Sequence, residues 1–135
     1  MLDIVENILK VAKSLFDLAG DIGKESQQKK EKIATLLEQI SDCLAATSAA
    51  VRQGGIPHGE CGKLITYADE LPRLLTGHVD AAKAQALGDL LRSSYAVERL
   101  AGALASMSDR EPHLAKLDEA SGKFRAMAQL LRANP

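Results

Sequence analysis

His58, Glu60 and Cys61 are the most compact group of potential metal ligands in this chain. His58 and Cys61 stand three residues apart, the separation that brings two side chains onto one helical turn. A structural metal takes about four ligands, and the remaining candidates, Cys43, His78 and His113, fall at no matching spacing. The expectation is therefore no metal and no cofactor, with His58 at the start of a helix and Cys61 as a small buried apolar residue. No glycine-rich phosphate loop is present, and no Ser-His-Asp or Cys-His arrangement assembles into a nucleophilic site. Lys24, Lys29, Lys30 and Lys32 form a basic cluster. With Glu25 and Glu31 interspersed it reads as a solubilising face, and its functional alternative is attraction to anionic lipid head groups.

The elements that must carry these residues are helical. The 135 residues suit one domain, 1–135, and with 46% hydrophobic residues but only 3% aromatic and no Trp the core must be aliphatic and alanine-based. That composition favours close helix packing over a β-sandwich. Seventeen basic against eighteen acidic residues leave a formal charge of -1, so no global field attracts nucleic acid. Two cysteines are too few for a disulfide scaffold and no signal-peptide pattern is present, which predicts a cytoplasmic protein with free thiols.

Periodicity places the helices. From Leu2 to Ile22, one heptad stripe (Ile4, Ile8, Val11, Leu15, Leu18, Ile22) runs beside a second (Val5, Leu9, Ala12, Phe16, Ala19), so more than half of the helix is apolar and it must be surrounded. Its central stripe is expected to be buried, with Leu9 and Phe16 on the edge of the arc. Asp3, Glu6, Asp17, Asp21, Lys10 and Lys13 break any run long enough for a conventional transmembrane helix. The polar stretch 24–32 reads as the solvated start of a second helix. That helix is seamed by Ile33, Leu37, Ile40, Leu44, Thr47 and Val51, flanked by Leu36, Cys43 and Ala50, and ended by Gly54-Gly55. A third begins at Pro57 and should kink or break near Leu71, ahead of Pro72, with Leu74 and Leu75 in a following turn. A fourth is expected over about 79–106, burying Ala86, Leu87, Leu90, Leu91, Val97, Leu100, Ala101 and Leu104. A fifth is capped by Ser108 or Asp109 and carries Leu114, Leu117, Ser121, Phe124, Ala128 and Leu131. The fold class is all-α, an antiparallel bundle of four to five helices with an apolar N-terminal helix.

Two family resemblances bear on function. Arg73 and His78 have the Arg-x4-His form used by the HEPN family of helical-bundle ribonucleases, which would make the chain an enzyme; read without that family, they are a solvated pair at a loop. The apolar first helix, the basic-polar opening of the second, and the connector Gly55-Ile56-Pro57-His58-Gly59-Glu60-Cys61 leading into Leu64-Ile65-Thr66-Tyr67-Ala68 resemble a prokaryotic Bell domain. That family is similar to the fungal HeLo domain and to the N-terminal helical bundle of the mixed-lineage kinase domain-like protein. The resemblance implies a non-enzymatic cell-death effector of prokaryotic immunity. Oligomerised by a sensor or signalling domain on the same or a partner chain, it would self-associate and pass from the cytoplasm to the inner membrane, which it targets or permeabilises. The residues implied to face lipid or a partner are Ile4, Val5, Ile8, Leu9, Leu15 and Phe16, with Lys24, Lys29, Lys30 and Lys32. The alternative is a helical protein-protein interaction adaptor without membrane activity, and the ribonuclease reading stands third.

Overall fold

The computed structural model describes residues 2–17, 19–22, 24, 26–54, 58–75, 82, 84–86, 88–89 and 111–133. Its named helices are α1 (Leu2–Asp17), α2 (Ala19–Ile22), α3 (Gln27–Arg52), α4 (His58–Leu75) and α5 (Glu111–Ala133), and no strand occurs among the described residues. The bundle is all-α, as its composition requires.

Ser26 sets the start of α3. Its hydroxyl accepts the Lys29 amide at 3.3 Å while its carbonyl accepts the Lys29 and Lys30 amides, satisfying donors that a helix N-terminus otherwise leaves bare. The helix therefore begins at Gln27, and Lys24, expected at its start, lies before the cap. At the far end Gly54 takes φ 82, a left-handed conformation that glycine adopts without a Cβ penalty, and its amide closes on the Val51 carbonyl at 3.0 Å.

The whole expected seam of α3 is buried, and so is Lys30, with 2% of its surface exposed. On α5, Leu114, Leu117, Ser121, Phe124, Ala128 and Leu131 are all buried, joined by Ala120 and Met127. These two helices lie antiparallel and share the most extensive contact among the described elements. Their crossing is polar at its centre, where Ser41 Oγ donates to the Ser121 carbonyl at 2.9 Å and Ser121 Oγ donates to the Ser41 carbonyl at 2.8 Å. Two small hydroxyl residues let the backbones approach while leaving neither buried oxygen unsatisfied. Arginines fix the register at both ends. Arg52 reaches Glu111 at 3.1 Å and Asp118 at 2.9 Å; Arg132 reaches Glu31 at 2.9 Å and pairs with Glu38; Arg125 pairs with Asp42 between them. Exposed pairs of this kind contribute little to stability, so their effect is on alignment.

α4 packs on the other side of α3, and α1 packs on α5. Glu6 meets Lys116 and, ten residues later, Phe16 meets Lys123, so α1 runs parallel to α5 and antiparallel to α3.

Several expectations are corrected. α1 and α2 together span the expected Leu2–Ile22, and Leu18 between them lies outside the described residues. No break occurs at Leu71: α4 continues through Pro72 to Leu75. Pro72 sits in the last turn, where its missing N–H forfeits one helical bond, while Leu71 and Leu75, four apart on one face, are both fully buried. Leu74 is likewise helical and packs at the edge of the core. Ala86, expected to be buried, is exposed, while Ala84 two residues before it is buried. Leu87, Leu90, Leu91, Val97, Leu100, Ala101, Leu104, Ser108 and Asp109 lie outside the described residues.

Candidate functional site

Ile8, Val11 and Leu15 have no exposed surface, and Ala12 is covered beside them. Their spacing of three and then four places them on one side of α1, so that side forms part of the core. Leu9, expected at the edge, is also buried at 5% exposure; Phe16 is the edge residue, half-buried against the core. Ile4 and Val5 belong to α1, with side chains outside the described set.

Two lysines of α5 hold the rim of α1. Lys116 Nζ pairs with Glu6 Oε1, and Lys123 Nζ stands 5.8 Å from the centre of the Phe16 ring, within cation–π range. The hydrogen bond from Lys116, followed by its charge, holds the Glu6 carboxyl below its ordinary value of 4.5. A carboxylate whose pKa falls on folding favours the folded state above its ordinary range, and that contribution disappears as pH drops through the lowered value. Acid therefore loosens this end of α1. In an NMR titration the Glu6 carboxyl should have its midpoint below 4.5, and Lys116→Gln should move it back up; an unmoved midpoint would show that the pair does not form in solution.

The basic cluster is smaller than expected. Lys24 and Lys32 are exposed and Lys29 partly so, but the burial of Lys30 removes it from that surface. Lys32 stands instead at the rim of a groove of about 450 Å3 between α3 and α4, whose apolar floor is Leu36, Tyr67 and Leu74. Burial pushes the Tyr67 hydroxyl above its usual value, so it stays protonated at neutral pH and supplies no base.

Neither catalytic constellation is brought together by the described residues. Arg73 is exposed and lies 3.8 Å from Glu70, while His78 falls outside the described set. His58 heads α4 and Cys61 lies in its first turn, both with undescribed side chains; Cys43 is buried on α3. His113 is partly buried on α5, and no group of three potential metal ligands occurs among the described residues. Sequence reasoning missed the contributions of Lys116 and Lys123, because nothing in their own spacing says which helix they grip. No family model, curated protein or solved structure matches this chain.

Proposed function

We propose that this chain is a non-enzymatic cell-death effector domain that acts on the inner membrane when a sensor clusters it. The observation that carries the reading is the state of α1, an apolar helix stored against one principal described neighbour, α5, and clasped at its rim by two lysines. Full burial contributes about 1.5–3 kcal/mol per large aliphatic side chain, so Ile8, Leu9, Val11 and Leu15 together oppose release by about 6–12 kcal/mol. A lone domain keeps α1 docked. Clustering or a second apolar phase must supply the difference, since a partner shifts an equilibrium only by its preference for one state. No described helix is long and apolar enough to cross a membrane.

The adaptor reading is favoured by a different observation. α1 carries three acids against two lysines, and surface-seeking helices are normally basic. The two readings separate in bacterial cells carrying the chain fused to a chemically induced dimeriser. Membrane action predicts that the inducer admits an impermeant dye and stops growth, with no effect before induction. Clustered protein that leaves cells impermeable would put the adaptor in its place.

A further inference from the structure

The charge of α1 is wrong for a lipid-seeking helix, and the surface beneath it has the charge that α1 lacks. On α5, Lys116, Ala120, Lys123 and Met127 follow one another at intervals of four, three and four, which makes a single stripe along the helix. Ala120 and Met127 are buried, and the lysines at the same stripe are the two that touch α1. α1 packs against this helix and touches the strip at Lys116 and Lys123. The other cations of α5 are already committed on its α3 side, Arg125 to Asp42 and Arg132 to Glu31 and Glu38. Two of its acids, Glu111 and Asp118, are taken by Arg52. Its remaining acid, Glu119, lies on the solvent side of the lysine stripe. Removing α1 would leave Lys116 without Glu6 and Lys123 without the Phe16 ring, on either side of newly bared apolar surface. Apolar residues flanked by lysines are the pattern that lies in an anionic membrane interface.

We propose that the α5 face covered by α1 is a docking surface for an anionic lipid bilayer, with α1 acting as its cover rather than as the lipid-contacting helix. The inference rests on the membrane reading above and specifies which element meets the lipid. Glu6 and the Phe16 ring occupy the places that lipid phosphates and acyl chains take once α1 has moved, so the resting contacts are a rehearsal of the bound ones.

Substitution of the two lysines gives opposite signs for the two possibilities. Lys116→Gln with Lys123→Gln loosens the clasp, so if α1 itself met lipid, the change would raise binding or leave it unaltered. If α5 meets lipid, binding falls. The experiment is co-sedimentation of the clustered full chain with phosphatidylcholine vesicles, with and without phosphatidylserine. The expected result is a loss of about 30-fold in affinity for the anionic vesicles, the contribution of two lysines near a charged surface. Lys10→Gln with Lys13→Gln, on exposed positions of α1, should leave binding intact, and the charge-preserving Lys116→Arg with Lys123→Arg should bind like the native chain. Undiminished binding by the glutamine pair, or a loss confined to the Lys10 and Lys13 pair, overturns the assignment to α5 while leaving the membrane reading in place. A clustered native chain that ignores anionic vesicles defeats both.

Discussion

Leu15→Asp should abolish the cooperative thermal transition. Leu15 is fully buried in the helix that the proposed mechanism moves, so the substitution removes a core side chain and places a carboxylate in the hydrophobic core. Truncating a buried leucine costs about 2–5 kcal/mol, and an unpaired buried polar group adds further cost, giving about 5 kcal/mol or more. That approaches the total stability of many domains of this size. Circular dichroism would read the outcome as lost helix content or a strongly lowered midpoint. A native-like melt would mean that α1 is not part of the folded core, and the stored-helix picture would fall with it. Leu9→Glu belongs in the same class, because Leu9 is buried rather than marginal.

The two phenylalanines of the chain should behave differently. Phe124 is 1% exposed at the centre of α5, and Phe124→Ala should cost about 3–5 kcal/mol through the cavity it leaves. Phe16 is half-buried, and Phe16→Ala should cost about 1 kcal/mol, made up of partial burial and the contact with Lys123. Urea titration separates the two directly. Equal losses would contradict the placement of Phe16 at the rim of the α1 interface. The small cost makes Phe16 the position from which α1 can be loosened without unfolding the bundle.

The stripes of α3 and α5 were legible because burial there follows the helical period without interruption. Ile33, Leu37 and Ile40 on one helix, and Leu114, Leu117 and Phe124 on the other, are all in the core. Lys30 was hidden by its residue type. It lies three before Ile33 and seven before Leu37, on the continuation of their stripe, yet its charge and its neighbours Lys29 and Glu31 disguise that register. Ser26 was hidden in the same way, a helix cap inside a run of polar helix formers. Pro72 misled because its effect depends on distance from the helix end, which the residue itself does not encode. The α5 lysines needed a partner helix before they meant anything. A pair seven apart marks a face, and only the docking of Glu6 and Phe16 shows what that face holds.

The claim that clustering turns this bundle against membranes is tested most directly by dye release from anionic liposomes, using the purified full chain on an inducible dimeriser. Before induction the buried α1 should keep the protein inactive and the liposomes sealed. After induction, dye should escape from phosphatidylserine-containing liposomes and far less from phosphatidylcholine alone. Liposomes that remain sealed around the clustered, folded protein would contradict the account.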